Sequence, residues 1–244
     1  MTGAQWRVPA LVLIVALTVA IGIANLPVQT KQGVDFVTSS STLPLYVKAL
    51  DFVQRDASYR RLAHRIAGDG TSPEARAVAL FDWTRKNIRD TPKGFPIVDD
   101  HVWHTIVRGY GEDDQKADVF TTLATYAGVP SFYALTQDSS GELPLSFAWI
   151  DGKWVVCDVA NGVMFRNSRG ALASASEVAD NPGIVVEVSA GRVYRDRPYA
   201  SYFMGFRPPA APDVLRPELQ MVWPRVSHRL KRLVGLGRRE WQED

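Results

Sequence analysis

An uninterrupted apolar run near the N-terminus is the clearest pattern in this sequence. No residue between Val8 and Thr30 is charged, and the stretch from Ala10 to Ala24 is almost entirely aliphatic. As a helix, the uncharged stretch from Val8 to Thr30 would measure roughly 34 Å, enough to cross a hydrocarbon core of about 30 Å. It is longer than the apolar part of most signal peptides, so we predict a membrane anchor, with a cleaved signal peptide as the alternative. Arg7 before the run favours a cytoplasmic N-terminus and an external location for the rest of the chain.

Three segments after the run have helical periodicity. The first extends from Tyr46 to Ala67. The second has Ser72 as its predicted cap and Pro73 at its first position, and it should end near Asp90. The third extends from about Asp113 to Ala127, after which a glycine and a proline stop the helix.

Beyond these helices the period changes to that of strands. Strands are predicted over Val129 to Thr136, Leu143 to Ile150 and Lys153 to Asp158. Asp151-Gly152 between the last two is a strong signal for a two-residue hairpin turn. A further hairpin is predicted around Ile184 to Tyr194. Helices first and strands afterwards indicate an α+β fold, with N-terminal helices packed on an antiparallel sheet.

Composition narrows the classes of partner. Hydrophobic residues make up 46% and charged residues 22% of the chain, which is typical of a packed globular protein. The 28 Lys and Arg residues nearly balance the 26 Asp and Glu residues, so the charge gives no reason to expect nucleic acid as a partner. Cys157 is the only cysteine, which excludes an intramolecular disulfide and a zinc site made of cysteines.

Several ordered motifs resemble the core of the transglutaminase-like superfamily, which is related to papain-like cysteine proteases. They are a Gly-rich turn from Arg108 to Gly111, a helix that follows it, the turn from Asp151 to Trp154, Asp158, and then Asn161-Gly162. The resemblance covers roughly ninety residues and is of the bacterial type. It implies acyl transfer by a thiolate at the start of the helix, with a histidine opening one strand and an aspartate ending the next.

Two of those three catalytic positions are replaced in this chain. The resemblance places the cysteine position on Asp113 and the histidine position on Leu143, and only Asp158 is retained. The predicted turn independently places Leu145, or diagonally Leu143, opposite Asp158, and neither leucine can carry a proton. We interpret Asp113 as a helix cap and not as a nucleophile. Asp158 then either hydrogen-bonds the nearby turn or remains as a polar point in a substrate cleft.

The other candidate side chains have simpler interpretations. Cys157 adjoins Asp158 in the same strand, so the two side chains point to opposite faces, and we predict an inert core thiol. His101 and His104 follow two aspartates, and they share a face only if that stretch is helical. We predict no metal site and no cofactor there, because acids before a helix more often cap it from a solvated loop.

The predicted domain organisation has four parts. Residues 1–30 form a cytoplasmic tip and transmembrane anchor, residues 31–43 a polar spacer, residues 44–210 the transglutaminase-like domain, and residues 211–244 a basic tail. The tail mixes basic and aliphatic residues. It is either an amphipathic helix on anionic lipid, a docking helix for a protein partner, or a solvated tail.

The sequence therefore predicts a pseudoenzyme. We expect a non-catalytic binding or scaffolding module, anchored by a single span in a cytoplasmic-type membrane with its domain on the extracytoplasmic side. A protein partner in the membrane or envelope is expected, and the resemblance implies a surface-polysaccharide or secretion context. The alternative is a peptidase or amidase with a displaced site, using either Cys157 or an acid–histidine set around Asp113, His101 and His104.

Overall fold

The structure is a computed structural model that describes residues 7–35, 37–69, 71–99, 101–138 and 141–233. It divides into two compact units. The first comprises residues up to Arg55 together with 98–100, and the second comprises residues 56–97 and those from His101 onward. The predicted cytoplasmic tip over residues 1–6 and the end of the predicted tail, residues 234–244, lie outside the described residues.

The first unit contains an apolar helix and a small antiparallel sheet. The elements are α1 (Arg7–Ala24), β1 (Pro27–Val34), β2 (Val37–Pro44) and β3 (Val98–Asp99), with the strands in the order β2-β1-β3. The predicted spacer over residues 31–43 is therefore the greater part of a β-hairpin. Its serines and threonines supply backbone groups to the ladder opposite β1. A polar composition is shared by linkers and by exposed strands, so composition did not separate the two.

Helix α1 is shorter than the predicted span. It ends at Ala24, and the side-chain amide of Asn25 donates to the Ile21 carbonyl at 2.8 Å. Pro27 then opens β1, so the uncharged residues up to Thr30 belong to a strand. Within the described part of the chain, no helix is both long enough and apolar enough to cross a membrane.

The second unit packs helices on an antiparallel sheet, which confirms the α+β class. Its first helices are α2 (Leu45–Ala67, counted with the first unit up to Arg55), α3 (Pro73–Asn87), α4 (Val102–Arg108) and α5 (Asp113–Tyr126). The sheet has the order β4-β5-β6-β7, formed by Ser131–Asp138, Gly141–Ile150, Lys153–Asp158 and Val163–Met164. The later elements are α6 (Ala175–Asp180), α7 (Pro182–Ser189), β8 (Val193–Tyr194), β9 (Arg197–Pro198), two 3₁₀ helices (Tyr199–Phe203 and Arg216–Gln220) and α8 (Val222–Leu233).

The helix ends follow the local signals in the sequence. The Ser72 hydroxyl accepts a hydrogen bond from the Ala75 amide at 3.1 Å, and Pro73 occupies the first turn of α3. Gly128 after α5 has a φ of 78°, the left-handed conformation that glycine adopts without steric cost. The three predicted helices are confirmed.

The register of the central hairpin is also as predicted. Asp151 and Gly152 both have positive φ, and the turn pairs Trp149 with Trp154 and Ser146 with Cys157. Alternate residues therefore enter two separate hydrophobic cores, one on each face of the sheet. The first core contains Ala148, Ile150, Val155 and Cys157 packed with α3 and α5, and the second contains Leu143, Leu145, Phe147 and Val156.

The segment after the sheet differs from the prediction. The hairpin expected over Ile184 to Tyr194 is largely helix α7, which Asn181 caps by accepting from the Gly183 amide at 3.1 Å. A short aliphatic run does not distinguish a buried helix from a strand, and Pro182 suits the start of a helix. The packed unit also continues past residue 210, because Leu215 is buried in the second core.

Candidate functional site

A Gly-rich turn between α4 and α5 positions the start of the site. Gly109 has a φ of 72° and ends α4. The backbone amide of Glu112 donates to Gln115 Oε1 at 3.1 Å. That oxygen lies 2.8 Å from where a Cβ on Gly111 would be, so any larger residue there would displace the Gln115 side chain from its hydrogen bond. Helix α5 begins at Asp113 as predicted, but the capping residue is Glu112, since Asp113 already has helical backbone.

Asp113 is held by two polar side chains. Tyr194 Oη donates to Asp113 Oδ2 at 2.7 Å, and Lys116 Nζ donates to Oδ1 at 3.2 Å. Lys116 also contacts Asp90, and only 6% of its side chain is exposed. Burial acts to lower the pKa of Lys116, but the Asp90 and Asp113 carboxylates outweigh it and the pKa is raised. Asp113 therefore balances a buried ammonium group.

Asp158 is fully buried at the end of β6. Its Oδ2 accepts from Tyr199 Oη at 2.6 Å and from Asn161 Nδ2 at 2.9 Å, and its Oδ1 accepts from the Asn161 amide at 2.9 Å. Burial raises the pKa of Asp158, hydrogen bonds from Tyr199 and Asn161 oppose this shift, and the charge on Asp113 adds to it. Three donors and no base surround this carboxylate, so its contacts favour the first interpretation, a residue that hydrogen-bonds the following turn.

The position expected for a catalytic histidine is apolar and enclosed. Leu143 lies on β5 opposite Thr136 and is fully buried in the second core. Leu145, the next residue on that face, is also fully buried. Because Ser146 pairs with Cys157, the register continues to place Leu145 opposite Asp158. In the described part of the chain, the hydrogen bonds of the Asp158 carboxylate come from Tyr199 and Asn161, and neither side chain is an imidazole.

Two tyrosines of the C-terminal aromatic segment complete the site, and sequence reasoning missed both. Tyr194 bonds Asp113, and Tyr199 bonds Asp158. The segment is tied down by Arg192, which donates to the Asn161 carbonyl at 3.0 Å, and by Tyr202, which donates to the Tyr194 carbonyl at 3.2 Å. Burial raises the pKa values of Tyr194 and Tyr199, as do their carboxylate partners, so both stay protonated donors. The sequence offers one signal, the group of aromatic residues from Tyr194 onward, and that group alone does not indicate which side chains they contact.

A cleft of about 330 Å³ lies beside the start of α5. Its lining includes Asp90, Gly111, Glu112, Asp113, Asn161 and Tyr194. The lining therefore combines three carboxylates with one tyrosine hydroxyl and one amide side chain. It can accept hydrogen bonds and hold a positively charged or donor-rich group, but neither a thiol nor an imidazole is among the described residues that line it.

The residues that an alternative active site would need lie elsewhere. Cys157 is fully buried in the first core, and burial together with the charge of Asp158 raises its pKa to about 12. His101 and His104 lie at the start of α4 with ring centroids 6.0 Å apart, and neither lines the cleft. Asp100 lies outside the described residues. Within the described ranges, no three His, Cys, Asp or Glu side chains are grouped to hold a metal ion.

Part of this chain matches a known family model. Residues 60–159 match the family model of the Transglutaminase-like superfamily. No curated protein matches this chain.

Among solved structures, a candidate cysteine protease from Cytophaga hutchinsonii is similar at 18% identity and a TM-score of 0.38, over 51% of this chain and 44% of that one. A candidate protease from Parabacteroides distasonis is similar at 13% identity and a TM-score of 0.35, over 50% and 28% of the two chains. A structure described as a TGase is similar at 11% identity and a TM-score of 0.34, over 60% and 46%. This chain thus spans less than half the length of each of these proteins.

Proposed function

We propose that this chain, whose residues 60–159 match the family model of the transglutaminase-like superfamily, is a non-catalytic member whose cleft binds a ligand or protein partner. The observation that carries the proposal is the state of Asp113. This carboxylate stands at the first helical residue of α5, where the superfamily has its thiol, and it is engaged by Tyr194 and Lys116. A carboxylate that neutralises a buried ammonium is a structural charge and a poor acyl-transfer nucleophile.

The second catalytic position supports the same proposal. General-base catalysis needs a group that exchanges a proton within hydrogen-bond reach of the nucleophile. Leu143 occupies the expected position inside the second core, where a histidine would have to displace packed apolar side chains. The retained Asp158 would orient a histidine in an active member. In this chain it is hydrogen-bonded by Tyr199 and Asn161.

The displaced-site alternative lacks comparable support. A nucleophilic cysteine needs access and a lowered pKa, whereas Cys157 has no exposed surface and a raised pKa. An acid–histidine set needs His101 or His104 beside Asp113, and neither histidine lines the cleft that contains Asp113.

A catalytic assay tests the inactive state directly. The full-length chain in mild detergent is incubated with labelled casein to detect hydrolysis and with a labelled primary amine plus casein to detect acyl transfer. We expect no turnover above that of the matched variants Asp113→Asn and Cys157→Ala. Turnover by the wild-type chain that either substitution abolishes would overturn the proposal.

Site-specific photo-crosslinking tests the binding role. A photoreactive amino acid replaces Thr91, which lines the cleft, and the matched control replaces Arg169, an exposed residue that does not line it. In cells of the natural host, we expect discrete adducts from position 91 and none from position 169. The same adducts from both positions, or none from either, would contradict a binding cleft.

We further propose that α1 anchors the chain, with the domain on the extracytoplasmic side, as a scaffold beside surface-polysaccharide or secretion machinery. Support comes from its side chains: its large apolar residues from Leu11 onward are each more than half exposed, on every side of the helix. We expect the chain to resist alkaline carbonate extraction from membranes. The variant Leu13→Lys/Leu17→Lys should be released, because each charge at the centre of a span costs about 2.5–3.5 kcal/mol. Release of the wild-type chain would exclude the anchor.

A further inference from the structure

Helix α8 presents an exposed apolar stripe. Four side chains at spacings of three, four and three residues lie on one side of the helix. They are Trp223, Val226, Leu230 and Leu233, which are 76%, 42%, 57% and 83% exposed. An amphipathic helix of a globular domain normally turns such a stripe toward the core. This helix does the opposite, and none of its residues is buried.

The side of α8 that packs on the domain is of mixed polarity, with Val222 and Pro224 among its partly buried residues. Arg225 and His228 are partly buried, and the Arg225 guanidinium donates to the Leu219 carbonyl at 3.3 Å. The contact is with the 3₁₀ helix Arg216–Gln220 that precedes α8. That 3₁₀ helix is held in turn by Tyr126, whose hydroxyl donates to the Gln220 carbonyl at 2.9 Å. The domain therefore holds α8 by the side that carries Arg225 and His228, and the four-residue apolar stripe faces outward.

The charges on α8 are of one sign. The helix carries Arg225, Arg229, Lys231 and Arg232, and it contains no aspartate or glutamate. A free phosphate ion would use the basic side chains and leave the apolar stripe in water. A protein groove would need both an apolar floor and an acidic rim. A membrane with anionic lipid supplies an apolar region and negative charge together. Its acyl chains can bury the apolar stripe, and its phosphate groups can pair with the basic side chains beside the stripe.

We infer that α8 lies in the headgroup layer of a membrane that contains anionic lipid, with Trp223 and Leu230 entering the acyl boundary. The exposed stripe and the basic side chains of α8 are independent of the cleft and of the exposed apolar residues of α1. The lipid contact of α8 could hold even if the cleft binds no ligand or α1 does not anchor the chain, because a dye on α8 itself reports that contact.

A dye on α8 reports its position in the full-length chain. Leu230→Cys is labelled with an environment-sensitive fluorophore, and labelling is selective because the only other thiol, Cys157, is fully buried. The matched control carries the dye at Ser168→Cys, an exposed loop position. Each protein is placed in vesicles of phosphatidylcholine alone or of phosphatidylcholine with phosphatidylglycerol.

We expect the emission at position 230 to shift to the blue only in vesicles with phosphatidylglycerol, and the shift to shrink in high salt. The emission at position 168 should stay that of a dye in water. Adding Arg229→Gln, Lys231→Gln and Arg232→Gln should lower the ratio of membrane-bound to free α8 on the order of 100-fold, at about 1 kcal/mol per basic residue.

Two results would overturn the inference. A dye at position 230 that remains in water with both kinds of vesicle would show that α8 does not bind lipid, as expected if a protein covers it. An equal shift in both kinds of vesicle, unchanged by the triple substitution, would show apolar association without headgroup recognition.

Discussion

Removing one hydroxyl from the buried Asp158 tests how the C-terminal segment is held. Tyr199 donates to Asp158 Oδ2 at 2.6 Å inside the second core. Tyr202 in the same 3₁₀ helix is equally buried, but its hydroxyl donates to a neutral acceptor, the Tyr194 carbonyl, at 3.2 Å. Tyr199→Phe and Tyr202→Phe therefore remove the same atom from the same short helix, and the main differences between them are the charge of the acceptor and the length of the hydrogen bond.

The difference in acceptor sets the expected magnitudes. A hydrogen bond to a neutral group contributes about 0.5–1.5 kcal/mol to stability, and one to a charged group about 1.5–3 kcal/mol. We expect Tyr202→Phe to lower the free energy of unfolding by the smaller amount at every pH. Tyr199→Phe should lower the free energy of unfolding by the larger amount at pH values where Asp158 is ionised in the folded state. Where Asp158 is protonated, the loss should be close to that of Tyr202→Phe.

The sign of the pH dependence follows from the raised pKa of Asp158 in the folded state. Its unfolded pKa is about 3.9. The folded state therefore binds the proton more tightly, so ionising Asp158 lowers stability as pH rises from the unfolded pKa through the folded pKa. Tyr199 offsets that loss by bonding the ionised form. The extra cost of Tyr199→Phe over Tyr202→Phe should therefore grow with pH.

Urea unfolding followed by tryptophan fluorescence measures these costs. Both variants and the wild-type chain are unfolded in mild detergent at a series of pH values, from near the unfolded pKa of about 3.9 to about 9. A Tyr199→Phe cost that never exceeds that of Tyr202→Phe would refute the charged hydrogen bond. An excess that falls with rising pH would show that Tyr199 stabilises the protonated form of Asp158 and not the ionised form.

Three further perturbations probe the rest of the site. Cys157 should alkylate only after unfolding, measured by mass spectrometry against the denatured chain, and labelling faster than that control would show an activated thiolate. Gly111→Ala should lower the free energy of unfolding by about 1–3 kcal/mol, because the added methyl group meets the Gln115 side chain; an unchanged melting temperature would contradict the tight turn. Lys116→Met should destabilise by about 1–3 kcal/mol, since it leaves the partly buried carboxylate of Asp113 without its cation. That cost should shrink in an Asp113→Asn background to what the ion pair between Lys116 and Asp90 contributes, and an additive result in the double-mutant cycle would refute the pairing of Lys116 with Asp113.

The sequence predicted the structure correctly wherever the deciding interaction joins residues a few positions apart. Ser72 caps α3 by accepting a hydrogen bond from the amide of Ala75, three residues later. Gly128 ends α5 through its own left-handed backbone conformation. The Asp151-Gly152 turn sets the register of the hairpin, and this register alone places Cys157 on one face and Leu143 on the other. These interactions can be read from the sequence because both partners lie within one turn or one hairpin.

The sequence did not predict the structure of segments whose composition fits two kinds of secondary structure equally well. The serine- and threonine-rich stretch of β2 has the polarity of a linker, and only pairing with β1 makes it a strand. The aliphatic residues of α7 fit a strand as well as a helix until they pack on the second core.

The α+β order of elements, and the presence of Asp113 and Leu143 where the resemblance expects a thiol and an imidazole, can be read from the residues and their local patterns. The surroundings of Asp113 and Asp158 depend on contacts between distant parts of the chain. Tyr194 is 81 residues from Asp113 along the chain, and Tyr199 is 41 residues from Asp158. Contacts at such separations leave no periodicity or spacing in the sequence, because they depend on how the C-terminal segment crosses a core that forms from other elements.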